Sequence, residues 1–333
     1  MTMSLTRRTF LQSSLMAGLA GAAEATCTRW LLSSGDAVRI GIAGLGASAS
    51  EHLALFATIP GARIVGLADS EPTRITSAQR QLRELGQSTP TVYRNVDHML
   101  SDHCVEAVAM PNEAGNPANI FRGIVKAGLP LLADFPPVEP PHSYETSLSV
   151  RTPVHFRLAD FMYPATVADL TAWLKRSDCN HGEAHLVISP ATTTRELRMA
   201  AIVATNALLA ASPVPDDKLI SWARSNHAQP TIRGTTGVVS LPENSAGIGA
   251  LHVHLLARSA KDSKLLVQHR AGSMEVVIAS QPNATSSLRT VMMFLDGVRR
   301  PGSARNLSSS RARLASLLVE GVINRRTLDA LRG

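Results

Sequence analysis

Residues 38–69 read VRIGIAGLGASASEHLALFATIPGARIVGLAD, and the fold is decided there. Val38 to Ala43 alternates short apolar groups with glycine, as a strand buried on both faces does. Gly44-Leu45-Gly46-Ala47-Ser48-Ala49 then opens an apolar-periodic helix, and a second apolar strand ends in Asp69. This is the spacing a dinucleotide pyrophosphate needs. Gly44 allows the tight turn, Gly46 lets the backbone approach the phosphates, and Ala49 is small enough for close helix-on-strand packing. Asp69 is placed to accept from a ribose hydroxyl. A glycine triplet alone also occurs in tight turns that bind nothing; strand, helix, second strand and acid in register favour the dinucleotide.

Upstream, Thr6-Arg7-Arg8-Thr9-Phe10-Leu11 precedes a weakly apolar run to Ala23, the pattern of an export signal for folded proteins. The run is too short to span a bilayer. Ala23-Glu24-Ala25 suits cleavage after Ala25, with a retained anchor as the competing reading. Cys27 raises lipid attachment, but Glu24-Ala25-Thr26 lacks the usual aliphatic residue, so a lipoprotein is the minor option. The expected place is the periplasm, or the membrane surface if the leader is kept.

The chain has 333 residues, 44% of them apolar, and a formal net charge of +7. What remains after the leader exceeds one ordinary core, so the expected layout is leader and linker 1–36, a first domain 37–150 and a second 151–333. Cys27, Cys104 and Cys179 form no disulfide framework and no zinc pattern; a Cys104–Cys179 bridge is open, with buried free thiols preferred. Basic residues gather late, at Arg299, Arg300, Arg305, Arg311, Arg313, Arg325, Arg326 and Arg332. Without aromatic interleaving this reads as a solvated helix face rather than a nucleic-acid surface.

Beyond Asp69, a helix is expected from Pro72 to Gly86, a strand at Thr91 to Tyr93, and a short helix from Val96 to Ser101. A strand follows at Val105 to Ala109, ending at Met110-Pro111-Asn112. A helix from Pro117 to Ala127, stopped by Gly128, leads to a strand from Leu129 to Ala133. Alternation at these lengths gives a doubly wound parallel sheet. Later segments read as a strand at Val154 to Leu158, a helix from Thr166 to Lys175, and a strand at Glu183 to Ser189. Four more strands fall at Val238 to Leu241, Ala250 to Ala257, Lys264 to His269 and Met274 to Ala279, before a helix from Ser308 to Asn324. His252 and His254 share a strand face but show no third ligand, so no metal site is expected.

The glycine turn, Leu67-Ala68-Asp69, Met110-Pro111-Asn112 and the passage Ile124 to Leu132 resemble the Gfo/Idh/MocA oxidoreductases. That family includes glucose-fructose oxidoreductase and inositol dehydrogenases. The resemblance implies an N-terminal Rossmann domain followed by a smaller α/β domain with an open, mainly antiparallel sheet that supports a sugar site and often an oligomer interface. It implies NAD, with NADP left open by Arg74, and a sugar, polyol or related small molecule as substrate. NAD-dependent glycoside cleavage also occurs in the family. The cofactor-binding set is then Gly44, Leu45, Gly46, Ala49, Asp69, Pro111 and Asn112.

This chain departs from the family where the family does its chemistry. The family's Glu-Lys-Pro becomes Asp134-Phe135-Pro136, and phenylalanine can neither exchange a proton nor donate a hydrogen bond. Gly115 stands where a histidine is usual, and the family's His-x-x-Asp pair aligns with Ala201 and Ala204. Remaining catalytic candidates are Asp134, His155, Asp160 and Tyr163. The alternatives are therefore a working oxidoreductase with displaced acid/base groups, and a dinucleotide-binding or scaffold protein that has lost the reaction.

Overall fold

The computed structural model describes residues 37–46, 48–111, 117–137, 153–161, 172, 182–188, 194–211, 218, 231–233, 236–240, 250–255, 263–269, 272–278, 284–300 and 307–320. Seven strands and helices alternate at the start: β1 (Val38–Ala43), α1 (Ala49–Thr58), β2 (Ala62–Ala68), α2 (Pro72–Glu84), β3 (Thr91–Tyr93), α3 (Val96–Ser101) and β4 (Ala107–Met110). Then come α4 (Pro117–Lys126), β5 (Leu131–Ala133) and β6 (Val154–Phe156). These six strands form one sheet in the order β3-β2-β1-β4-β5-β6, every pairing parallel. The doubly wound sheet expected from the sequence is borne out. Strand order reverses between β1 and β4, and their carboxyl ends open the crevice where such sheets bind ligands.

The local signals act as the residues suggest. Pro72 starts α2 and Gly86 follows its end at φ +73°, a left-handed conformation that costs glycine little. Asn95 caps α3 by accepting the His98 N–H at 2.9 Å. Gly41 and Gly66 are register partners on β1 and β2, and the buried Met99 side chain of α3 lies over both. A Cβ at Gly41 would stand 2.9 Å from Met99 Sδ and 3.0 Å from Val105 Cγ1. Gly41→Val is accordingly expected to cost about 1–3 kcal/mol by overpacking, read as a lower denaturation midpoint at unchanged slope.

Past β6 the chain makes a 3-10 turn (Arg157–Phe161) rather than continuing as strand to Leu158. The cause is local: Arg157 Nε donates to Asp160 Oδ2 at 2.8 Å, three residues on, which closes the turn. The second sheet is built from β7 (Gly182–Ile188), β8 (Thr231–Arg233), β9 (Thr236–Ser240), β10 (Ala250–Leu255), β11 (Ser263–His269) and β12 (Gly272–Ile278). Its order is β12-β11-β7-β10-β9-β8, antiparallel except for β7 with β10. The helices α5 (Thr194–Ala211), α6 (Ala284–Arg299) and α7 (Leu307–Glu320) complete the described elements.

Two apolar clusters hold this together. One lies under α1 and α2 and takes in Leu288, Val291, Phe294 and Leu295 of α6. The other joins Met99, Phe121 and Phe156 of the first sheet's opposite side to Phe161, to α5 and α7, and to the inner face of the second sheet. The helix α6 went unrecognised in the sequence, although Leu288, Val291, Leu295 and Val298 recur at helical spacing. The expected helix from Thr166 to Lys175 lies outside the described residues, apart from Ala172.

Two surface expectations are corrected. Cys104 is a free, exposed thiol rather than a buried one, because it sits in the turn between α3 and β4; Cys179 lies outside the described residues. Of the late arginines, Arg300 is exposed as expected and pairs with Asp296, Arg305, Arg325, Arg326 and Arg332 lie outside the described residues, and the other three are not part of a solvated face. Arg313 is buried with its guanidinium 4.8 Å over the Phe121 ring, and Arg311 donates to the carbonyls of Leu209 and Ala210 that end α5. Arg299 reaches the Gly61 carbonyl at 3.4 Å. Arg299, Arg311 and Arg313 serve as packing and helix-end groups.

Candidate dinucleotide cradle and the buried charge network beneath it

The cradle begins where β1 ends. Gly44 has φ +87° and its N–H donates to the Ala68 carbonyl at 2.8 Å, tying the turn to β2. A side chain there would be strained, which is the reason for glycine. Asp69 is buried and divides its carboxylate between two backbone donors: Oδ2 accepts the Leu45 N–H at 2.6 Å and Oδ1 accepts the Glu71 N–H at 2.8 Å. The acid thus fixes the glycine turn from the end of β2, the place where the sequence expects a ribose acceptor. Each oxygen keeps a second lone pair for a hydroxyl. Arg74 Nη1 lies 3.9 Å from Oδ2 and its side chain is half exposed.

At the start of α1, Ser48 makes no side-chain cap and Ala49 packs in the core. The first-turn amides of a ten-residue helix therefore point toward the turn without an internal side-chain acceptor. The register Ile42 with Ala109 brings Met110-Pro111 level with the end of β1. Gly44, Leu45, Gly46, Ala49, Asp69 and Pro111 are brought together in this way; Asn112 lies outside the described residues. The donor and acceptor set fits a dinucleotide: backbone amides for the diphosphate and a carboxylate for the ribose.

Beneath the cradle lies a cluster that sequence reasoning found only in part. His52, on the inner side of α1, places Nε2 2.7 Å from Asp134 Oδ1 at the end of β5. Arg157, 1% exposed, donates to Asp134 Oδ1 at 3.1 Å, to Ser287 Oγ at 2.6 Å and to Glu51 Oε1, besides Asp160. Thr290 Oγ1 donates to Asp160 Oδ1 at 2.6 Å. One guanidinium therefore joins α1, β5, the 3-10 turn and α6. Burial by itself would raise Asp134, but His52 and then Arg157 outweigh it and hold the acid at about 2. For Asp160 burial prevails over Arg157 and Thr290, and its pKa is raised. Arg157 is pushed up by Asp134, Glu51 and Asp160 against the effect of burial.

The other candidates stand apart from this cluster. His155 on β6 rests its ring edge-on against Phe294 at 5.7 Å; its Nε2 is buried without a hydrogen-bond partner, and burial lowers its pKa. Phe135 is buried against Phe161 with ring centroids 5.0 Å apart, so the position of the family's lysine is part of the core. Ala201 and Ala204 are fully buried in α5. Tyr163 and Gly115 lie outside the described residues. On the second sheet His252 stacks on His185 at 5.3 Å, and among the described residues no group of three or more His, Cys, Asp or Glu could hold a metal. Nor is any described helix long and apolar enough to cross a membrane.

Sheet order, glycine turn and acid define an NAD-binding Rossmann fold. Residues 38–149 match the Gfo/Idh/MocA oxidoreductase family, NAD-binding Rossmann fold. A glycosyl hydrolase family 109 protein of Streptomyces niveus is 36% identical over 67 residues, which are 20% of this chain and 14% of the relative. In fold the chain is similar to myo-inositol dehydrogenase from Lactobacillus casei, solved with NAD(H) and myo-inositol. The TM-score is 0.59 at 13% identity, covering 86% of this chain and 93% of that one. An oxidoreductase from Thermotoga maritima gives 0.62 at 11% identity, covering 86% and 96%. GenD2 from gentamicin A biosynthesis, solved with NAD, gives 0.61 at 12% identity, covering 89% and 95%.

Proposed function

We propose that this protein is an exported NAD-dependent oxidoreductase acting on a sugar, polyol or related small molecule. The observation that carries the reading is the glycine turn clamped by Asp69 at the β1–β4 switch point. A carboxylate at the ribose favours NAD, while the half-exposed Arg74 beside it leaves room for the 2′-phosphate of NADP. The nicotinamide, when bound, supplies the hydride acceptor or donor. The chain's part is to hold the dinucleotide by the turn and Asp69 and to fix α1 against β5. The likeness to inositol dehydrogenases supports a polyol or sugar, and the family 109 relative supports a glycoside as a variant substrate. Twin arginines at Arg7 and Arg8 support export of the folded protein with its cofactor already bound. An open second sheet supports a homo-oligomer.

A second reading is favoured by one observation: Phe135, buried on Phe161, occupies the place of the family's proton-transferring lysine. On that reading the protein keeps the dinucleotide and has lost turnover. Purification of the mature chain, release of bound nicotinamide and a redox assay across sugars, polyols and glycosides separates the two. Cofactor whose redox state follows the substrate supports the oxidoreductase. Bound cofactor that stays in one redox state across the panel supports the second reading. Export is checked by the fractionation of the full-length chain with Arg7→Lys and Arg8→Lys together, which is expected to retain it in the cytoplasm.

A further inference from the structure

We propose that Arg157 is a positioning residue for the cofactor, which keeps the α1 end of the cradle receptive to a diphosphate by neutralising Glu51; this rests on the dinucleotide reading above. Glu51 lies in the first turn of α1, the turn whose amides face the glycine loop. An acid there stabilises a helix through its dipole but opposes an anionic ligand at the same end. Arg157 answers that charge from below: Nη2 meets Glu51 Oε1 and Ser287 Oγ, and Ser287 Oγ also reaches Glu51 at 3.2 Å. Its other donors hold Asp134 and Asp160, so three carboxylates surround one guanidinium and one histidine. The cluster has no cationic surplus. Loss of Arg157 leaves Glu51, whose side chain is 34% exposed, without its guanidinium partner one turn from the phosphate position, and its charge is then felt there most at low salt.

The test is a set of fluorescence titrations with NADH, ADP and adenosine on the full mature chain, at low and high salt. Glu51→Gln is expected to tighten NADH and ADP by about threefold or more at low salt, less at high salt, and to leave adenosine unchanged. Arg157→Met is expected to weaken NADH by about tenfold, and Glu51→Gln in that background to restore it to within about threefold of wild type. Arg157→Lys, which keeps the charge, is expected to retain most of the affinity. A merely structural arginine would give no such restoration, and adenosine would weaken alongside NADH. The proposal is overturned if Glu51→Gln leaves NADH and ADP binding unchanged or weaker. It is equally overturned if the double variant binds no better than Arg157→Met. Should Arg157→Met fail to fold, Glu51→Gln with its adenosine control decides alone. Wild-type protein that binds none of the three ligands overturns the dinucleotide reading itself.

Discussion

Arg157→Met is expected to destabilise the protein by about 3–5 kcal/mol, a large part of the roughly 5–15 kcal/mol that holds a typical native protein together. Methionine keeps the volume of the stem but removes every donor, so buried Asp134 and Asp160 lose a charge partner at once. The pH dependence gives a second readout. Asp134 is depressed from 3.8 to about 2 in the folded state, so its contribution is present above the unfolded pKa and is lost as pH falls from about 4 through about 2. That contribution is roughly 2 kcal/mol from the shift alone. Asp160 acts with the opposite sign: its raised folded pKa favours the protonated acid, so it offsets part of the acid loss. In the Met variant Asp134 keeps only His52 as a charge partner, and the acid transition is expected at higher pH. Denaturation midpoints of both proteins across pH 2–6 measure this. Equal midpoints would show that the network contributes little.

Asp69→Ala is expected to weaken NADH binding by about 2–4 kcal/mol, some thirtyfold to a thousandfold. Two losses combine. The ribose loses its charged acceptor, and the Leu45 N–H inside the turn loses the carboxylate that holds it at 2.6 Å. Asparagine is not a neutral replacement, since its amide turns a donor toward either the Leu45 or the Glu71 N–H. Titration of NADH against wild type, Asp69→Ala and Asp69→Asn measures both effects. Stability is expected to fall by only about 1–3 kcal/mol, the cost of orphaned buried amides, so the folded variant remains measurable.

Local chemistry made the first sheet legible. Gly44, Pro72, Asn95 and Gly86 act through their own backbone or their nearest neighbours, so the turns and helix ends they mark lie where the sequence places them. The buried network was not legible for the opposite reason. His52 and Asp134 are 82 positions apart, and Ser287 and Glu51 are 236 apart. Asp134 and Asp160 stand among the catalytic candidates in the sequence, but Arg157 and His52, which fix their state, read as ordinary strand and helix residues. The helix α6 was missed although its spacing shows it, and with it went the partners Ser287 and Thr290. The strand expected to run through Leu158 stops at Phe156 because an Arg–Asp pair three residues apart turns the chain.

The glycine turn and Asp69 are expected to hold a nicotinamide dinucleotide. Calorimetric titration of NADH into the purified protein, stripped of any cofactor carried through purification, tests this. One site per chain, abolished or strongly weakened by Asp69→Ala, is the result expected here. No heat and no fluorescence change at millimolar NADH or NADPH, from a protein with a cooperative melting transition, would contradict it.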